Sequence, residues 1–316
     1  MGKGLGILAV LIILFVISSY TLWNTIQNNY SAPEILRLGN YTPTVDVKGI
    51  SYDNESGLQF YDNMRFDHKD LTFGISPECD NEQTNNMISA MEFLQKQVRN
   101  ITFRQEIFKD KENNTDIRIY CGEAYKDKEN LYVAGEGGPD YIIRTTTFNI
   151  IKGGKIVLYR ESCSYNVELH ELLHVFGLKH SENKKSILFP ESFCDQHITM
   201  DIVEELRRLY SIEPLPDLYF ENITATKHGI YVDLFLTVKN QGIRGTEQNI
   251  TLGLYSEDKK LTEFVLGPID YGSGRVLRTE NTQLRTRSTT EIRLVIDSEN
   301  VTKEYSKENN EITLRV

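Results

Sequence analysis

The spacing of apolar positions changes character three times along this chain. Gly4–Trp23 is almost continuously apolar and includes the run Leu8-Ala9-Val10-Leu11-Ile12-Ile13-Leu14-Phe15-Val16-Ile17. About 20 such residues suffice to cross a bilayer as a helix, and Tyr20 and Trp23 suit the far interface. Further on, Leu71–Ser76 alternates as a strand, and Asn81–Arg99 carries Met87, Met91, Leu94 and Val98 at helical spacing. Ile101–Ile107 and Asp116–Cys121 read as further strands. Tyr141–Ile151 and Lys155–Arg160 read as two more, divided by Gly153-Gly154, a hairpin signal. Gly135-Glu136-Gly137-Gly138-Pro139 reads as a surface turn rather than a phosphate cradle, because no strand leads from it into a helix. Beyond Pro214-Leu215-Pro216 the segments Ile230–Asn240, Asn249–Tyr255 and Thr290–Ile296 alternate strongly, with turn residues between them. Several short strands of this kind predict an antiparallel sandwich.

With 316 residues the chain has room for an anchor and two domains. Residues 24–59 contain Pro33, Pro43 and the acceptor sequons at Asn29, Asn40 and Asn54, and read as a juxtamembrane stalk. A charged fraction of 25% with 40% hydrophobic residues indicates a globular body. The net charge of −10 argues against nucleic acid or an anionic membrane surface as partner. Lys3, the only charge near the apolar segment, places the N-terminus inside and the body outside the cell. A cleaved signal peptide is the rival reading. Ser18 and Ser19 are small, but no A-x-A-like site follows, so a retained signal anchor over 4–23 is favoured.

The remaining composition fits an external setting. Sequons occur at Asn29, Asn40, Asn54, Asn100, Asn113, Asn222, Asn249 and Asn300, all after the apolar segment. The 4 cysteines, Cys79, Cys121, Cys163 and Cys194, suggest two disulfides, with three connectivities open from the sequence. No C-x-x-C occurs, which disfavours a cysteine zinc cluster.

Residues 170–180 read His-Glu-Leu-Leu-His-Val-Phe-Gly-Leu-Lys-His. His170 and His174 share one face of a helix, where two imidazoles can grip one zinc ion. Gly177 can take the left-handed conformation that ends the helix, and the turned chain returns His180 as a third ligand. Three protein ligands leave a position open for water, the arrangement of a catalytic zinc site. Glu171 lies beside the metal, where a carboxylate can take a proton from that water.

This H-E-x-x-H-x-x-G-x-x-H stretch resembles the metzincin signature. Ser181 after the third histidine resembles the matrixin branch, and Ser186-Ile187-Leu188-Phe189-Pro190 resembles the matrixin Met-turn, with Leu188 in place of the methionine. Ile198–Tyr210 is similar to the closing matrixin helix. The resemblance implies an α+β zincin catalytic domain with a mixed sheet over residues 60–212, one catalytic zinc ion and Glu171 as general base. It also implies the pairings Cys79–Cys121 and Cys163–Cys194, and an edge strand at Tyr141–Ile151 that pairs with extended substrate. No Pro-Arg-Cys-Gly propeptide switch is present, and His68, His197 and His228 are scattered, so a second zinc is not expected.

Residues 214–316 resemble the CARDB family of Ig-like domains. The resemblance is carried by Pro216-Asp217-Leu218, Val238-Lys239-Asn240-Gln241-Gly242, Val295-Ile296-Asp297, Glu304 and Asn309-Asn310. It implies a spacer or adhesion module over 213–316, able to meet a cell-surface partner, with Asn309-Asn310 as a structural pair. The expectation is a membrane-anchored, extracytoplasmic zinc endopeptidase acting on a protein or peptide. The alternative is a cell-surface adhesion protein with an inactive zincin domain.

Overall fold

The computed structural model describes residues 2–29, 34–43, 57–108, 115–126, 128, 132–159 and 165–315. The chain divides into two compact units. One comprises 46–216 with 241–244, and the other 1–45, 217–240 and 245–316.

The chain opens with helix α1 (Gly2–Asn29). Its large apolar side chains from Leu11 to Ile17, with Tyr20, Leu22 and Trp23, are exposed. Among the described residues no helix is long and apolar enough to cross a membrane; side chains of α1 are described from residue 11 to residue 24. Two short strands follow, β1 (Glu34–Ile35) and β2 (Arg37–Leu38). They belong to the sandwich unit, and this corrects the reading of 24–59 as a stalk over residues 34–43. Leu36, between the strands, is buried in the sandwich core, and its amide donates to Ala225 O at 2.9 Å. Tyr41 adds a second tie, its hydroxyl accepting from Phe220 N at 2.6 Å. One apolar and one aromatic side chain were too few to register as a pattern in a segment rich in proline and sequons.

The α/β unit contains β3 (Met64–Phe66), β4 (Asp70–Ile75), α2 (Asn81–Val98), β5 (Thr102–Gln105), β6 (Ile117–Cys121), β7 (Gly135–Arg144), β8 (Asn149–Leu158), α3 (Asn166–Val175) and α4 (Met200–Ser211). Strands β5, β4, β6 and β8 lie side by side in parallel. Strand β3 pairs in parallel with the start of β8, and β7 runs antiparallel along the length of β8 as the edge strand. Helix α2 starts at an Asp80–Gln83 capping box, which satisfies two otherwise orphaned amides. It buries Met87, Ala90, Met91, Leu94 and Val98 on one face. Cys79 and Cys121, beyond β4 and at the end of β6, are joined by a disulfide.

Two expectations are corrected by the sheet. The hairpin does not turn at Gly153-Gly154: β8 runs through both glycines, and the turn lies at Thr145–Phe148, where Thr145 N donates to Phe148 O at 2.8 Å. Gly154 is needed for a different reason. A Cβ there would lie 2.4 Å from Val175 Cγ1, so its absence lets the sheet reach α3. Gly135–Pro139 is not a surface turn but the first half of β7. A Cβ on Gly137 would sit 2.4 Å from Glu171 O, so the strand lies directly against the backbone of α3.

The last seven strands are β9 (Leu218–His228), β10 (Tyr231–Asn240), β11 (Ile250–Ser256), β12 (Lys259–Gly267), β13 (Gly274–Gln283), β14 (Glu291–Ile296) and β15 (Glu311–Arg315). They form two antiparallel sheets, ordered β1-β9-β10-β13 and β12-β11-β14-β15-β2. Leu218, Phe220, Val232, Leu234, Leu252, Leu294 and Ile312 are among the buried side chains of the core they enclose. The polar residues noted in the sequence meet here. Asn309 Nδ2 donates to Asp217 Oδ1 at 3.1 Å, Asp217 N donates to Asn240 Oδ1 at 3.1 Å, and Asn310 Nδ2 donates to Glu304 Oε1 at 2.7 Å. Glu304 also accepts from Leu218 N at 2.8 Å, while burial raises its carboxyl to about 8.

Candidate metal centre

Helix α3 carries His170 and His174 one turn apart and ends in a Schellman arrangement. Leu178 N donates to Leu173 O at 3.2 Å and Gly177 N to His174 O at 2.9 Å, while Gly177 takes a φ of 84°. The left-handed glycine reverses the chain immediately after the second histidine. Segment 57–60 then braces the returning strand: Phe60 N donates to Gly177 O and Lys179 N to Leu58 O, each at 2.8 Å. His180 is thereby brought opposite His170 and His174, with one ligand-capable ring atom of each within 4.8 Å of the others.

The orientation of the rings is set by backbone carbonyls. His170 Nδ1 lies 2.7 Å from Ile187 O, and His174 Nδ1 lies 2.7 Å from Leu178 O. A carbonyl can only accept, so each Nδ1 carries the proton and each Nε2 keeps its lone pair. Those lone pairs converge: His170 Nε2 stands 2.9 Å from His174 Nε2 and 3.3 Å from His180 Nε2. Burial lowers His170 to about 4, with His174 and His180 adding to the effect, and burial also lowers His174 to about 4. His180 is lowered by burial too. The three rings are therefore neutral at pH 7, and three neutral imidazoles this close could hold a metal ion. Carbonyls that fix the ring tautomers are the usual outer support of such a site.

The turn at Ser186–Pro190 supplies one of those carbonyls. Ile187 N donates to His197 O at 2.8 Å, and Leu188 O accepts from Ser181 N at 2.8 Å, tying the turn to the residue after His180. Leu188 is fully buried in the core of this unit.

Glu171 is 6% exposed and lines a cleft of about 710 Å³ together with His170, His174 and His180. No hydrogen bond or ion pair reaches its carboxylate among the described residues. Burial, followed by the neighbouring charges of Glu136 and Glu168, raises it to about 8. A Cβ on Gly135 would fall 2.8 Å from Glu171 Cγ, so the glycines of β7 bring this strand against the carboxylate. The sequence signal for that contact was the run of glycines; its meaning depended on a helix far away in the chain. Gln196 was also missed: it is buried and braces the far wall of the cleft through Glu191 O at 2.7 Å.

Asn40, Asn100, Asn222, Asn249 and Asn300 are exposed. Asn54, Asn113 and Cys163 lie outside the described residues, as does the side chain of Asn29.

The family model for CARDB matches residues 215–314. Residues 215–314 are a CARDB domain. A similar solved structure is the CARDB domain of a Pyrococcus furiosus protein in complex with di-metal ions. It is 17% identical, with a TM-score of 0.25 over 32% of this chain and 87% of that chain. No curated protein matches this chain. The matched residues include β9 to β14 and most of β15, and leave the histidine cluster outside their bounds.

Proposed function

We propose that this chain is a membrane-anchored, extracytoplasmic zinc endopeptidase of the matrixin-like metzincin kind, with His170, His174 and His180 as the zinc ligands. The observation that carries this reading is the meeting of the His170, His174 and His180 rings, two with Nε2 lone pairs fixed by backbone carbonyls, with an unpartnered, buried carboxylate in one cleft. When bound, zinc would supply Lewis acidity, polarising a scissile carbonyl and acidifying a water molecule. Glu171 accepts the proton released as the peptide is attacked and delivers it to the departing amine. Burial favours its protonated form in the metal-free chain, and a dication held by the adjacent histidines would favour the carboxylate that can take up the proton. The residues Val133–Gly137 line the cleft, so the start of edge strand β7 offers backbone groups to an extended peptide. This strand assignment replaces Tyr141–Ile151 in the substrate-pairing role. The exposed apolar face of α1 supports an anchor, and the exposed sequons support a body outside the cell.

The direct test is metal analysis of the purified full chain combined with a peptide-library cleavage screen. One zinc per chain and chelator-sensitive cleavage are expected. Zinc content unchanged in His174→Ala would refute the ligand set. The second reading is a surface adhesion protein with an inactive α/β unit. It rests on the CARDB domain and on Leu188, and zinc binding without cleavage of any peptide would favour it.

A further inference from the structure

We infer that the cleft selects peptides bearing a lysine or arginine side chain, and that Glu191 is the residue that reads it. This rests on the peptidase reading and names the substrate class of the same site. Glu136, Glu171 and Glu191 are among the residues lining the cleft, and no lysine or arginine is. Two of the carboxylates are already committed. Glu171 is buried beside the histidines, and Glu136 is held by neutral donors, the hydroxyls of Tyr125 and Tyr159. Glu191 is exposed at the cleft wall, and no ion pair or hydrogen bond reaches its carboxylate among the described residues. Asp195, on the same loop, is paired with Lys185 and so is already compensated.

The backbone under Glu191 is held firmly. Gln196 is 7% exposed, donates from Nε2 to Glu191 O at 2.7 Å, and accepts at Oε1 from Phe193 N at 3.0 Å. From α3, Asn166 Nδ2 donates to Phe193 O at 3.2 Å. Beside Glu191 the wall is apolar, formed by Ile187 and Pro190. An apolar wall ending in an uncompensated carboxylate on an anchored backbone fits a long aliphatic stem with a cationic head. A neutral side chain of the same length gains the wall contact but not the charge, and an acidic one is repelled.

The test compares fluorescent peptides that differ at one position among Lys, Arg, norleucine and Glu. The kcat/KM ratio of Lys to norleucine is read for the zinc-loaded full chain, its Glu191→Gln variant and its Glu191→Lys variant. Equilibrium binding of the same peptides to the chelator-treated chain is read by anisotropy. The expected Lys preference is about five- to tenfold, lost in Glu191→Gln and inverted toward Glu in Glu191→Lys. It should shrink with added salt, which a purely structural role for Glu191 would not produce. Cleavage with no charge preference overturns the inference and leaves the peptidase standing. Charge-selective binding that Glu191→Lys inverts, with no hydrolysis of any peptide, upholds the inference and overturns the peptidase. Equal binding of all the peptides overturns the inference whatever the catalytic result.

Discussion

In the β-sandwich, Asp217, Asn240, Glu304, Asn309 and Asn310 hydrogen-bond one another and nearby backbone, while Asn309 Oδ1 and Asn310 Oδ1 stay buried without a partner. In the α/β unit, Glu171 is comparably buried but faces open volume, and three imidazoles bring ligand-capable ring nitrogens close together. Burial alone does not distinguish the two groups. What differs is where each side chain sends its remaining hydrogen-bonding capacity. Polar groups that satisfy one another fix an architecture. A polar group that lacks a partner and also faces open volume is placed to meet something that arrives from outside.

The largest expected effect breaks the comparison on the side of chemistry. Glu171→Ala should keep its zinc and lose hydrolysis by about 10²–10⁴-fold. Metal analysis beside single-turnover cleavage checks this, and wild-type turnover would contradict the role assigned to Glu171.

Next comes the packing of β8 against α3. Gly154→Ala places a methyl group against Val175, and about 1–3 kcal/mol of destabilisation is expected in the α/β unit. Denaturant unfolding, followed by a probe in this unit, would show a lowered midpoint, while the CARDB transition should stay in place.

The pH dependence sharpens the contrast. Glu304 is raised by burial from 4.5 to about 8, so the folded sandwich holds a proton that the unfolded chain gives up. Its contribution is fully present below about 4.5 and is lost as pH rises through about 8. Glu304→Gln should flatten that slope in thermal melts of the full chain. In the chelator-treated α/β unit Glu171 acts with the same sign, but His170 and His174 act with the opposite one. Lowered from 6.5 to about 4, they remove stability as pH falls through that window. A loss on the acid side is therefore the signature of this unit.

The smallest effect is expected of Leu188→Met. The volume is nearly conserved in a buried position, so stability should move by less than about 1.5 kcal/mol. A large gain of activity on restoring methionine would instead mark the natural chain as silenced.

Much of the fold was legible from periodicity. The helix carrying Met87, Met91, Leu94 and Val98 and the alternating strands of the sandwich each bury a face that recurs at a fixed spacing. The histidines were legible because their spacing encodes a helix turn and a glycine reversal. Three features were not. Strand β3 spans Met64–Phe66, too short to show a period. Gly135–Pro139 has almost no side chains to pattern, and its strand form follows from contact with α3. The carbonyls of Ile187 and Leu178 fix the ring tautomers but belong to residues chosen for their apolar side chains, so nothing in their identity announces the role.

The pairing of residues 34–38 with both sheets of the sandwich bears on how the protein can be divided. β1 lies on β9 and β2 on β15, so the sandwich unit is assembled from segments that precede and follow the α/β unit in sequence. In sequence, the α/β unit is inserted between segments of the sandwich unit. A fragment beginning at Pro216 would leave β9 and β15 as open edges with unpaired amides and carbonyls, a template for adding a strand from another chain. Such a fragment should self-associate more strongly than the whole chain, and a peptide spanning residues 34–43 supplied separately should cap it. Cutting the chain within residues 44–56 would not release the α/β unit, because its other end still continues into β9.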